Sequence, residues 1–280
     1  MNWWQALLIG IVEGLTEYLP VSSTGHILLT QRLLHIEQGE AADAFAICVQ
    51  AGAILAVLGL YRNRVVQVFR GLLGKDEEGR RLLINIIAGF IPAMVLGLIL
   101  EKTIKKYLFG GEALGLWPIV GAWFVGGLAI LGVAIYRRKR QGSPIPRAEL
   151  SALTWKTAML IGVFQCIAMW PGTSRSLVTI VAGVLFGLRM SAAVEFSFLL
   201  GVLTLTAVTA HDTLKHGAAM MESYGIGVLL LGFFAAWISA VLAVRWMVAY
   251  LNKHGLEIFG WYRIALAIVV AGLLWKGFLA

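Results

Sequence analysis

Six stretches of the chain, near residues 45–60, 82–100, 114–136, 193–210, 225–249 and 259–279, are apolar almost without interruption. Each approaches the roughly 20 residues an α-helix needs to cross the hydrocarbon of a bilayer. In that solvent a backbone amide is satisfied only within its own helix or in a closed barrel, and runs of this length are helical. Charged residues make up only 14% of the 280 positions, against about 25% in soluble proteins, and mean hydropathy is +0.83. The expected fold class is an all-α polytopic membrane protein.

The formal charge of +8 does not point to nucleic acid, because the cations sit between the apolar runs. Residues 62–81 carry six Lys or Arg and 137–147 carry five, which places both segments in the cytoplasm by the positive-inside rule. The loop at 211–223 has one Lys and fits the outer side; 101–112, with three Lys and two Glu, does so more weakly. "MNWWQ" has no basic residue and the first cation is Arg32, so no cleaved signal peptide is expected. Cys48 and Cys166 stand apart in apolar surroundings and read as small buried hydrophobes.

If 62–81 is cytoplasmic, the run at 45–60 starts outside, and residues 1–42 must begin and end on that side. They hold too many polar groups at 13–26 for two clean crossings. A re-entrant hairpin broken near Pro20 fits better, since irregular backbone at that depth is tolerated where it is buried in protein or lines a wet cavity. The pattern then recurs. "WWQALLIGIVEGLTEYLPVSSTG" (3–25) aligns with "WKTAMLIGVFQCIAMWPGTSRS" (155–176), with one residue dropped before the proline. Trp3 pairs with Trp155, Gly10 with Gly162, Glu13 with Gln165, Pro20 with Pro171 and Ser23 with Ser174. "GFIPAMV" (89–95) echoes "GFFAAWI" (232–238). The expected architecture is one membrane domain over 1–280: repeat one at 1–136, a cytoplasmic linker at 137–154 and repeat two at 155–280. Each half has one re-entrant hairpin and three spans. An odd number of spans inverts the second copy, as in many transporters.

The two hairpins carry the chemistry. Glu13 and Glu17 are four residues apart and share a helix face. Two carboxylates in a low-dielectric site persist only if one is protonated or a cation lies between them. A hard divalent ion such as Mg²⁺ or Ca²⁺ suits oxygen ligands; the bland alternative is two interfacial glutamates. His26 follows Ser22, Ser23 and Thr24, and is either a satisfied core histidine or an acid, base or proton shuttle. In "PGTSRSLVT" (171–179), Gly172 allows a tight turn, and Ser174, Arg175, Ser176 and Thr179 offer donors where a helix restarts. Such a helix start, with hydroxyls and a guanidinium, suits phosphate; a structural pairing of Arg175 with Glu195 is the alternative. Carboxylates for a metal opposite donors for phosphate suggest metal-assisted phosphoryl chemistry in the membrane.

"EGLTEYLPVSSTGH" (13–26) and "PGTSRSLVT" closely resemble the two signature regions of the BacA-type undecaprenyl-diphosphate phosphatases. The (Glu/Gln)-x-x-x-Glu pattern is met by Glu13 and Glu17, the Pro-Gly-x-Ser-Arg-Ser-x-x-Thr pattern is met throughout, and "QAGAILAV" (50–57) and "EFSFLL" (195–200) extend the likeness. The resemblance implies removal of the terminal phosphate from undecaprenyl diphosphate, which recycles the carrier lipid of cell-wall synthesis. It also implies divalent-cation dependence, an association with bacitracin resistance, and a multi-pass protein of the bacterial inner membrane with its site toward the periplasm. The family's functional residues fall on Glu13, Glu17, Ser23 and His26, and on Ser174, Arg175, Ser176 and Thr179. "SSTGH" is only superficially like the histidine-nucleophile phosphatases of the phosphatidic-acid phosphatase type. Those need Ser-Arg followed, after five intervening residues, by His, and after Ser174-Arg175 that place holds Val181.

The expected assignment makes Glu17, Ser23, His26 and Arg175 catalytic, with Ser22, Thr24, Ser174, Ser176 and Thr179 binding substrate and Glu13 and Glu17 holding the metal. The nucleophile is Ser23 assisted by His26, or a water activated by His26 or a glutamate. The competing reading is a transporter or flippase of isoprenoid phosphates. Expected partners are undecaprenyl diphosphate and the lipid bilayer, with no nucleic acid; a homodimer is compatible with this reading, which leaves the oligomeric state open.

Overall fold

The protein is described by a computed structural model over residues 1–36, 39–104, 115–139 and 148–279. The described residues are helical, joined by turns, with one isolated bridge between Ala148 and Leu188. Eleven α-helices follow in order: α1 (Trp3–Thr16), α2 (Ser23–Leu33), α3 (Glu40–Leu60), α4 (Arg62–Leu72), α5 (Glu77–Ile104), α6 (Trp117–Lys139), α7 (Trp155–Gln165), α8 (Arg175–Leu185), α9 (Met190–Ser223), α10 (Ile226–Lys253) and α11 (Glu257–Trp275). The middle of the expected linker, 140–147, and most of the 101–112 loop lie outside the described residues.

Five of these helices are long and apolar enough to cross a membrane: α5, α6, α9, α10 and α11. A sixth candidate is the pair α3 and α4, bent by 82° at Tyr61. Outward-facing side chains on the spans, such as Ile99, Val125, Leu242 and Ile268, are exposed and apolar, as lipid contact requires. The cationic segment 62–81, expected as a loop, starts as helix α4. Its Arg62, Arg64 and Arg70 alternate at helical spacing with exposed Val66, Phe69 and Leu72, the pattern of a helix lying along an interface rather than of a solvated turn.

α1 and α2 have 14 and 11 residues, and α7 and α8 have 11 each. At 1.5 Å per residue even α1 reaches only about 21 Å, short of a bilayer core of about 30 Å. Each pair folds back at a short turn. Pro20 and the left-handed backbone of Ser22 (φ 76°) break the first; Gly172 (φ 87°) and Ser174 (φ 56°) break the second. α1 packs on α10, and α7 on α5. Both crossings are backbone-tight at glycine. A Cβ added to Gly10 would lie 2.4 Å from the Gly232 carbonyl oxygen, and one added to Gly162 would lie 2.1 Å from that of Gly89. α11 covers α6, and α3 crosses α9.

Candidate active site

The two hairpin turns meet inside the bundle. The Ser22 hydroxyl caps α2 by accepting from the Gly25 amide at 3.5 Å, and the Ser174 hydroxyl caps α8 by accepting from the Leu177 amide at 3.2 Å. Both are Ser N-caps, set on backbone of positive φ. In this geometry Ser22 is the counterpart of Ser174. Trp3 to Trp155 and Ser23 to Arg175 are each a step of 152 residues, so the helices start in step without the one-residue gap expected from the proline alignment.

Contacts between the turns are polar. The Ser176 hydroxyl donates to the Leu19 carbonyl at 3.0 Å, with Ser174 Oγ at 3.5 Å from the same oxygen. Arg175 Nη2 donates to Glu17 Oε1 at 3.2 Å, and the two side chains are 11% and 6% exposed. The other Glu17 oxygen, Oε2, accepts from the Ser23 hydroxyl. One carboxylate is thus held by the first residue of each helix. Arg175 Nη1 donates to the Ser197 carbonyl at 3.1 Å, its guanidinium lies 5.3 Å from the centre of the Tyr18 ring, and its Nε is buried without a partner. Glu195 bonds Arg64 at 2.7 Å instead, so the structural pairing of Arg175 with Glu195 does not occur.

A cavity of about 290 Å³ opens beside this pair. Glu17, Ser22, Ser23 and Thr24 line one wall, Thr173, Ser174 and Arg175 another, and Gln50, Gln165 and Thr204 close it. Ser176 and Thr179 are fully buried and do not line it. The Thr179 hydroxyl is engaged with the Arg175 carbonyl at 2.9 Å and Ser197 Oγ at 2.6 Å, so these two side chains hold the turn. His26 is also off the wall. Its ring lies 5.4 Å from Trp123 and 5.8 Å from Tyr262. Nδ1 is 2.7 Å from the Ser22 carbonyl and Nε2 is 2.7 Å from the Tyr262 hydroxyl. A carbonyl only accepts, so Nδ1 carries a proton and donates to Ser22, while Nε2 is hydrogen-bonded to the Tyr262 hydroxyl. Gln50, Gln165, Thr204 and Tyr262 were not anticipated as site residues; a lone polar group within an apolar run was the available signal.

Glu13 is buried one helical turn before Glu17. Among the described residues no three His, Cys, Asp or Glu side chains gather as a metal cluster. The donor set nevertheless suits a hard divalent cation, which is commonly bound by one or two carboxylates together with substrate phosphate oxygens.

The model of the bacitracin resistance protein BacA family matches residues 6–269. The chain is 43% identical over 274 residues to a protein of Sorangium cellulosum named undecaprenyl-diphosphatase, covering 98% of this chain and 87% of that one. It is 41% identical to undecaprenyl-diphosphatase 2 of Rhodospirillum rubrum, with 98% and 95% covered, and 41% identical to the undecaprenyl-diphosphatase of Methylococcus capsulatus, with 100% and 97% covered.

Proposed function

The chain belongs to the bacitracin resistance protein BacA family, and on that premise we propose that it is an integral membrane phosphatase acting on undecaprenyl diphosphate. It releases the terminal phosphate and leaves undecaprenyl phosphate, the lipid carrier reused in cell-wall synthesis. The observation that carries the reading is the buried Arg175–Glu17 pair beside a cavity walled by two helix starts. A guanidinium fork and helix N-terminal amides favour phosphate oxygens, and a carboxylate bonded to a serine hydroxyl favours nucleophilic attack.

In this mechanism the diphosphate head enters the cavity while the polyprenyl tail stays in lipid. Arg175 turns part of its fork to the terminal phosphoryl group and offsets charge growing there. Ser174 and Ser22 fix the two helix starts through their caps. Ser23 Oγ attacks the terminal phosphorus and its proton passes to Glu17. The bond from phosphorus to the bridging oxygen breaks, and undecaprenyl phosphate leaves. Water then cleaves the phosphoserine, giving inorganic phosphate and restoring the hydroxyl. Glu13 and Glu17 would hold a divalent cation, which when bound neutralises diphosphate charge. His26 Nδ1 holds the Ser22 carbonyl, and so the start of α2.

The finer architecture belongs to the same proposal. The equal steps between hairpins and the paired glycine crossings at Gly10–Gly232 and Gly162–Gly89 support two inverted copies, each a re-entrant hairpin with three spans. Segments 62–81 and 137–154 are then cytoplasmic, both termini lie outside, and the site opens toward the periplasm of an inner-membrane protein. The test is phosphate release by the purified chain in detergent from undecaprenyl diphosphate, with divalent cation supplied. Stoichiometric monophosphate and inorganic phosphate are expected. Binding without cleavage would replace the reading by carriage of isoprenoid phosphates.

A further inference from the structure

Arg263 lies in the first half of α11 and is 0% exposed. Among the described residues no carboxylate pairs with it. Its donors all go to backbone carbonyls: Nη1 to Pro20 at 3.3 Å, Nη2 to Gly172 at 2.9 Å and to Ala122 at 2.8 Å, and Nε to Trp123 at 3.4 Å. Pro20 belongs to the turn of the first hairpin and Gly172 to that of the second. Ala122 and Trp123 belong to α6. Trp123 reinforces the arrangement, since its indole donates to the Val21 carbonyl at 3.1 Å. Gly126 leaves the space the fork occupies: a Cβ there would lie 2.4 Å from Nη2.

An ionisable residue is rare and costly inside a membrane bundle, and where it occurs it marks function. Here the charge is met by peptide dipoles alone, and each charged donor strengthens its bond to a carbonyl. The shape of the group matters as well. A planar guanidinium spans two turns and a helix at once, whereas an ammonium is a single point. Ser23 and Arg175 each follow a tied carbonyl by three residues. We infer that Arg263 is a positioning residue: it clamps the two hairpin turns against each other and so sets Glu17 and Ser23 in register with Ser174 and Arg175. Arg263 is not itself among the residues that line the cavity, and it acts on the site through the carbonyls of the two turns. The inference rests on the phosphatase reading, because its readout is turnover.

The experiment compares wild type, Arg263→Lys and Gly126→Ala, each purified in detergent. It records kcat and KM for phosphate release from undecaprenyl diphosphate and the thermal midpoint of each protein. Gly126→Ala leaves the arginine in place and displaces its fork, and alanine is a better helix former than glycine. A displacement of about 1 Å can cost on the order of 100-fold in rate. Both variants should therefore lose about 10- to 100-fold in kcat per folded molecule, with KM within about threefold of wild type. A merely structural arginine gives the opposite pattern: a lowered midpoint with unchanged turnover of the folded fraction, which overturns the inference. Failure of both variants to yield folded protein also assigns Arg263 to stability and overturns it. An inactive wild type instead removes the phosphatase reading itself, so the two failures are distinct.

Discussion

Replacing Arg175 by lysine keeps the positive charge, yet should remove most of the turnover. The guanidinium now makes two directed bonds from separate nitrogens, Nη1 to the Ser197 carbonyl and Nη2 to Glu17, and keeps Nε free. It is also pressed against the backbone of α9: a Cβ on Gly201 would lie 1.9 Å from Nη1. A lysine ammonium brings one point charge and cannot reproduce the fork. Loss of a preorganised contact to transition-state charge costs about 2.7–4 kcal/mol, or on the order of 10²–10³ in kcat. Stability behaves differently. Arg175→Ala leaves the Glu17 carboxylate buried without its cation, and breaking a buried pair in this way costs about 3–5 kcal/mol. Arg175→Lys retains a cation beside Glu17 and avoids most of that loss. The two variants should therefore share a low kcat and differ in thermal midpoint, with alanine much the lower. The assay is phosphate release from a polyprenyl diphosphate at saturating divalent metal, scaled to folded protein. Turnover by Arg175→Lys within about threefold of wild type would remove the fork from the mechanism and refute the reasoning.

Ser23→Ala should lower kcat by at least about 100-fold, the scale of losing a positioned catalytic group, and should abolish acid-stable phosphate label on the protein; undiminished turnover would hand the attack to water. Gly162→Ala should destabilise the α5–α7 crossing by about 1–3 kcal/mol, the usual cost of overpacking, whereas Gly59→Ala, with nothing within 4 Å of its added Cβ, should leave the thermal midpoint unchanged or raised. Chelation of divalent cations should suppress turnover reversibly, and Glu13→Gln should raise the metal concentration needed for half-maximal rate; equal metal dependence in both proteins would exclude Glu13 as a ligand. A cysteine at Lys75 should react with impermeant reagent only after the cytoplasmic face is exposed, and labelling in intact cells would reverse the topology.

The spans were legible because hydrocarbon permits little except helix, so the apolar runs gave α5, α6, α9, α10 and α11 close to their observed places. Segment 62–81 was less so. A charge count locates a side of the membrane but carries no period, and the helical spacing of Val66, Phe69 and Leu72 is apparent only when the apolar residues between the arginines are read separately. The likeness of the two short helix pairs was legible in its content but not its register. Aligning Pro20 with Pro171 maximises identity and forces a gap. The chain instead aligns by backbone geometry: Ser22 and Ser174 both adopt left-handed φ, and each is followed at once by a helix.

That register explains why the site residues differ between the hairpins. With Ser22 opposite Ser174, Ser23 occupies in one hairpin the place that Arg175 occupies in the other. Two equivalent helix starts thus present a hydroxyl and a guanidinium to the two oxygens of a single carboxylate. The motif spacing made those three residues readable, since each lies beside a turn that its own proline or glycine announces. Glu13, Ser22, Thr24 and Ser174 follow from the same local pattern. His26 and Arg263 required the tertiary structure. The histidine is drawn off the cavity wall by Tyr262, 236 residues away in sequence, and the arginine reaches both turns from a third element. A lone Arg in the apolar run 259–279 was nevertheless a visible signal. An ionisable group at such depth must find partners, and no carboxylate on α11 faces it from within that run. Two of its partners are carbonyls left free where the hairpins break, at Pro20 and Gly172, and the other two are carbonyls of the neighbouring helix α6.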